Sequence, residues 1–207
     1  LFRYLRLLGQ ADLAVALARQ GYVVVAPEHA GNHAGDQSGF GTDRVLLGRA
    51  WQASRALDAV LTHERLGRHV DGARIGALGF SAGGYTALLL AGAVPDFSRF
   101  EQFCTAHPDT PELCDPPPAG GMHTLVAPPP TADRRVRAAF VMAPLALVFD
   151  RAGVADLHAP IFLLTAERDE GLMPSANGDH LRSLLPGLAG SREIAGAGHF
   201  VFLAPCP

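Results

Sequence analysis

Five residues, Gly79-Phe80-Ser81-Ala82-Gly83, constrain this chain more than any others. They follow an apolar run over residues 73–78 and open a helix-forming run from Tyr85 to Ala93. A Gly-x-Ser-x-Gly between strand and helix is the setting of a nucleophile elbow, a turn that lifts a serine hydroxyl above the sheet. The turn is so tight that the residues two before and two after the serine should be nearly free of side chain. Glycine meets that demand because it has no Cβ. The helix N-terminus behind the serine favours negative charge developing there. The same five residues also fit an ordinary glycine-rich turn, so the rest of the chain must decide.

At 207 residues the chain fits one domain, 1–207, with a sizeable core. A hydrophobic fraction of 48% against 18% charged residues describes a globular protein, not a disordered one. A net charge of −3 gives no electrostatic reason to expect a nucleic acid partner. All 17 basic residues are arginine, which reads as genomic base-composition bias. No run approaches the ~20 apolar residues that span a bilayer, so no transmembrane segment is expected. Leu1 to Leu8 is apolar with two arginines and faintly suggests a signal peptide. The block is too short, however, and the residues after it are interrupted by Asp12 and Arg19. The first residue is not Met, so the chain reads as a processed or truncated piece.

Cys104 and Cys114 lie ten apart in a proline-rich stretch without zinc-site spacing. A local disulfide is the expected pairing, and it implies an oxidising location, secreted or periplasmic. Two free thiols in a cytoplasmic protein is the other reading. Cys206 has no obvious partner.

Along the chain, residues 10–20 carry the apolar spacing of an amphipathic helix, ended by Gly21. Tyr22 to Ala26 is a β-branched run, the mark of a strand buried on both faces, and Pro27 stops it. A Gly/His/Asn-rich loop over 28–41 leads to a long helix over 43–66. After the elbow and its helix, residues 95–130 hold nine of the sixteen prolines and read as an excursion without regular helix or sheet, either a cap-like loop over the site or a mere surface loop. Strands are expected near 136–142 and 161–165, then a helix around 177–185 and a short strand near 192–194. Strands alternating with helices, each strand nearly uniformly apolar, predict an α/β fold: a mainly parallel sheet with helices on both faces. No internal repeat is visible.

A serine hydroxyl is a weak nucleophile unless a base takes its proton, and the base needs an orienting carboxylate. The chain offers the order Ser, acid, His, each partner after a strand. Asp169 is the expected acid, a few residues past the strand at 161–165, with Glu167 and Asp150 as competitors. His199, between small residues in Gly196-Ala197-Gly198-His199-Phe200, is the expected base. His63 and His69 suit exposed positions better. The N–H of Ala82 is the expected oxyanion donor. Glu28, His29, Asn32 and His33 come after a strand on the serine's sheet edge, so His29 is a candidate for substrate binding; a structural loop role is the alternative. No metal is expected, since no histidine pair sits at i, i+4 beside a carboxylate on one helix, and no cofactor is expected either.

With these residues in view, the chain resembles the α/β-hydrolase superfamily. Within it, the chain is similar to the bacterial group of predicted dienelactone hydrolases, related to platelet-activating-factor acetylhydrolase and some polyesterases. The matching stretches are Asp12 to His29, Gly79 to Gly84, Ala166 to Asp169, and Gly198-His199-Phe200 with Phe202 to Cys206. The spaced pair Cys104 and Cys114 also looks like that group's excursion. True dienelactone hydrolases use a cysteine nucleophile, whereas this chain has Ser81.

The resemblance implies an esterase with a Ser81–Asp169–His199 triad acting on small-molecule, lipid or polyester esters. It also implies a central strand ending in His-Gly upstream of the first helix, which supplies a second oxyanion donor. That segment would precede Leu1, so either residues 1–8 substitute for it or the chain is a piece of a longer protein. The end at Pro207 reads likewise, since relatives continue to a cysteine suited to Cys206. Three alternatives stand beside ester hydrolysis: a non-catalytic binding domain of the same fold, acyl transfer, and thioester hydrolysis. Oligomeric state and chain-length preference are not legible in the residues.

Overall fold

The computed structural model describes residues 7–33, 35–36, 38–39, 42–114 and 130–204. Four parallel strands, β1 (Ile75–Phe80), β2 (Val136–Met142), β3 (Ile161–Ala166) and β4 (Gly190–Ile194), lie side by side in chain order. Phe80 sits opposite Met142, Met142 opposite Leu164, and Leu164 opposite Arg192. The strands' carboxyl ends are therefore nearly level, and the loops after β1, β3 and β4 open on one edge of the sheet. That level edge is what gathers residues 81, 169 and 199.

Among the described residues, six helices accompany the sheet: α1 (Ala11–Arg19), α2 (Asp43–Thr62), α3 (Ala82–Leu90), α4 (Ser98–Ala106), α5 (Pro111–Cys114) and α6 (Gly178–Leu184). Helix α3 is apolar all round and buried from Gly84 to Leu90, packed on β1 and β2 with α2 outside it. Its Leu88 and Leu89 join Leu47 and Ala50 of α2, Val141 and Leu163 of the sheet, and Phe149. The opposite face carries a smaller cluster of Phe80, Met142 and Ala143, covered by Leu13 of α1 and by Phe202 and Leu203. Thr42 starts α2 by accepting the Val45 N–H at its hydroxyl, an N-cap worth about 1 kcal/mol.

The parallel sheet and the helices at 11–19, 82–90 and 178–184 meet the sequence expectations, and β2 matches the expected bounds. Helix α2 stops at Thr62, four residues before the expected end. His63 turns the chain there, its Nδ1 accepting the N–H groups of Arg65 and Leu66. Two expectations fail outright. Tyr22 to Ala26 forms no strand, and its side chains are exposed, Tyr22 by 59% and Val24 by 39%. A strand exists only through ladder partners. Among the described residues nothing pairs with this segment, or with the side of β1 that faces away from β2.

The excursion, in turn, is not devoid of regular structure. Pro95, Pro108 and Pro111 bracket α4 rather than interrupt it, so nothing stops residues 98–106 from coiling. A disulfide joins Cys104 of α4 to Cys114 of α5, as the spacing suggested. Closing so short a loop contributes about 3 kcal/mol in the chain-entropy account. Of residues 1–8, expected as a candidate substitute for the upstream strand, 1–6 lie outside the described residues, as do 115–129 and Cys206; Leu7–Gln10 form a turn of 3-10 helix, not a strand.

Candidate active site

Ser81 follows β1 with φ 54° and ψ −120°, a conformation that a residue with a Cβ adopts at a cost of about 1–3 kcal/mol. Backbone bonds hold it there. Its N–H donates to the Met142 carbonyl at 2.9 Å, and its carbonyl accepts from Tyr85 N at 3.1 Å and Leu145 N at 3.2 Å. Those two acceptor bonds fix the peptide unit whose other end is the Ala82 N–H. As the first N–H of α3, that donor has no partner within the helix.

The glycine requirement of the turn is not symmetrical. A Cβ on Gly79 would lie 2.1 Å from the Gly83 carbonyl oxygen, whereas a Cβ on Gly83 meets nothing within 4 Å. The position that needs a missing side chain after the serine is Gly84, where a Cβ would lie 2.9 Å from Pro144 Cβ. The expected pairing of demands two residues either side is corrected accordingly.

His199 is 3% exposed, with Nε2 3.0 Å from Ser81 Oγ. Both oxygens of Asp169 lie 2.9 Å from Nδ1. With the proton on Nδ1, the ring donates to Asp169 and accepts the serine hydroxyl. Asp169 Oδ1 also accepts the Gly171 N–H at 3.0 Å and the Leu172 N–H at 2.6 Å, so the carboxylate is locked before the histidine reaches it. The rings of Phe80 and Phe200 stand 4.7 Å and 5.1 Å from the imidazole and wall it with apolar surface.

The competing carboxylates are engaged elsewhere. Glu167 accepts the Gly196 N–H at 2.5 Å, and Asp150 accepts the Gly153 N–H at 2.7 Å. His63 and His69 are exposed, as expected.

His29 leans on α2, one helical turn from the arginine that reaches the elbow. Its Nδ1 bonds the Oε1 of Gln52 on α2 at 2.7 Å. Three residues before Gln52, Arg49 donates to Asn32 at 2.6 Å and to the Thr86 hydroxyl at 2.9 Å, and Thr86 donates to the Ala82 carbonyl at 2.8 Å. Sequence reading missed Arg49, because one arginine among 17 carries no local signal. It likewise missed Asn177, 1% exposed, whose Oδ1 accepts the N–H groups of Ala146 and Leu147 beside the elbow.

Burial, reinforced by the Arg49 guanidinium, pushes His29 from 6.5 down to about 4. The unfolded chain therefore binds a proton between pH 6.5 and 4 that the folded chain refuses, and stability falls as pH drops through that window. Discounted for a partly exposed ring, the loss is about 1–2 kcal/mol. His29→Gln should remove it: between about pH 7 and 4.5, urea unfolding of the variant should lose less stability than the parent by that amount. Parallel pH dependence in the two proteins would refute the assignment.

Among solved structures the chain is similar to the crystal structure of esterase PE8, at 18% identity and a TM-score of 0.41, over 84% of this chain and 67% of that one. No curated protein matches it. The model of the dienelactone hydrolase family matches residues 9–185, a span that holds Ser81 and Asp169 and stops short of His199. On that match, and with a parallel α/β sheet beneath the elbow, the chain belongs to the dienelactone hydrolase family of α/β-hydrolases.

Proposed function

We propose that the protein cleaves carboxylic esters through a covalent acyl-enzyme formed on Ser81. The observation that carries this is the unbroken run of contacts from Ser81 Oγ to His199 Nε2 at 3.0 Å and from Nδ1 to Asp169 at 2.9 Å. Ser81 Oγ attacks the ester carbonyl while its proton passes to Nε2. Asp169 holds the tautomer that leaves Nε2 free to receive it and stabilises the imidazolium that results. Negative charge on the former carbonyl oxygen meets the Ala82 N–H at the start of α3. The imidazolium then hands its proton to the leaving alcohol, and the same base activates water to release the acid.

His29 contributes to substrate binding in this reading, from a loop that Asn32 ties to the elbow through Arg49 and Thr86. The substrates are small-molecule, lipid or polyester esters. The disulfide supports a secreted or periplasmic setting.

A fluorophosphonate probe tests the reading directly, because it reacts with a serine only when a base activates it. One equivalent should attach at Ser81 with loss of fluoride, located by peptide mass spectrometry. His199→Ala should slow the labelling by about 10²-fold or more. Absence of label, or label on another residue, would sink the proposal.

A further inference from the structure

Asp169 and Glu170 are adjacent acids, and only the first touches the imidazole. We propose that Glu170 is a positioning residue for His199, its carboxylate gripping the histidine's backbone so that the ring stays between Ser81 and Asp169. This inference rests on the triad reading above.

The geometry points to it in four ways. Glu170 Oε2 accepts the His199 N–H at 2.9 Å. His199 begins a short 3-10 turn, His199–Phe202, so this N–H has no partner within the turn. Buried as the residue is, an unmet donor there would be costly. Gly198 is the second sign. Its backbone, φ −92° and ψ 177°, is one any residue adopts, yet a Cβ on it would lie 2.5 Å from Glu170 Oε2. A methyl there would have to displace the carboxylate.

Thirdly, the grip is part of a longer zip. Glu167 accepts the Gly196 N–H at 2.5 Å, and the Arg168 N–H donates to the Ala197 carbonyl at 2.8 Å. Residues 167–170 thus bond the loop 196–199 at three backbone points while Asp169 takes the ring. Finally, Gly171 presses on the imidazole itself, since a Cβ there would lie 2.8 Å from Cγ and Cδ2. Holding the ring at Nδ1 leaves the Cα free to swing; holding the N–H as well removes that freedom. A shift of about 1 Å at the reacting nitrogen costs roughly 10²-fold in rate.

Four variants separate this role from a merely structural one. Glu170→Ala should lower kcat by about 10–100-fold with KM within about twofold. Glu170→Gln keeps an oxygen that accepts the N–H and should recover most of that loss. Gly198→Ala should reproduce the Glu170→Ala defect by expelling the carboxylate. The double variant Glu170→Ala/Gly198→Ala should be no worse than either single, because both remove one contact. Wild-type kcat in Glu170→Ala and Gly198→Ala, or fully additive losses in the double, would overturn the proposal.

A readout independent of turnover completes the test. The downfield Nδ1 proton of His199, seen by NMR in histidine-labelled protein, should persist in Ser81→Ala and Glu170→Gln and vanish in Glu170→Ala and Gly198→Ala. Its persistence in all four refutes the grip. If instead Ser81→Ala remains active, the triad reading fails, and the Nδ1 proton still decides the grip.

Discussion

Ser81→Ala should lose ester turnover by about 10⁵-fold or more, because in the triad proposed above the serine is the nucleophile and its loss removes covalent catalysis. The fold should hardly notice. Ser81 Oγ contacts His199 Nε2 at 3.0 Å, while the strained φ of 54° burdens alanine as much as serine. The variant should therefore unfold within about 1 kcal/mol of the parent, so that a dead enzyme cannot be mistaken for an unfolded one. Hydrolysis of a short-chain nitrophenyl ester, measured beside chemical denaturation, decides it. Ser81→Ala/His199→Ala should be no slower than the single variant. Retention of more than a percent or so of the rate by Ser81→Ala would remove the serine from the mechanism.

What could be read from the residues alone divides along a physical line. The elbow was legible because it is local: five consecutive residues, an apolar run before them and a helix after. That residues 81, 169 and 199 would meet was legible because parallel strands deliver their trailing loops to one edge, and the level register of β1, β2, β3 and β4 does so here. The preference for Asp169 over Glu167 had less to stand on in the residues, since both lie in one loop. What separates them is which N–H each carboxylate meets, a tertiary fact.

Tyr22 to Ala26 failed for the complementary reason. Its β-branched residues satisfy every local condition for a strand, but a ladder needs a neighbour, and none of the described residues supplies one. The same holds for α4, where proline count over 95–130 misled because position within the stretch matters more than number. Arg49, Asn177 and Glu170 act across 29–37 residues or on a single backbone N–H of a distant loop. No spacing rule announces such contacts.

Gly79 and Gly83 look equivalent in the sequence and should behave oppositely. A methyl on Gly79 would fall 2.1 Å from the Gly83 oxygen, 2.2 Å from its carbon and 2.7 Å from Gly84 N. All three are backbone atoms in the first turn of α3, so no side chain can rotate aside. The helix cannot retreat cheaply either, because Ser81 is bonded to Met142 and Leu145 and the helix is buried from Gly84 onward. Gly79→Ala should therefore cost at least ~3 kcal/mol, at or beyond the usual range for overpacking, and should carry activity down with it by displacing Ser81. Gly83 is helical and its Cβ would point into open space, so Gly83→Ala should stabilise α3 by about 0.5–1 kcal/mol through backbone entropy alone. Urea unfolding of the two variants in parallel measures the contrast. Equal and large losses would mean that the turn demands glycine on both sides of the serine after all, and that the open space beside Gly83 is not available to a side chain.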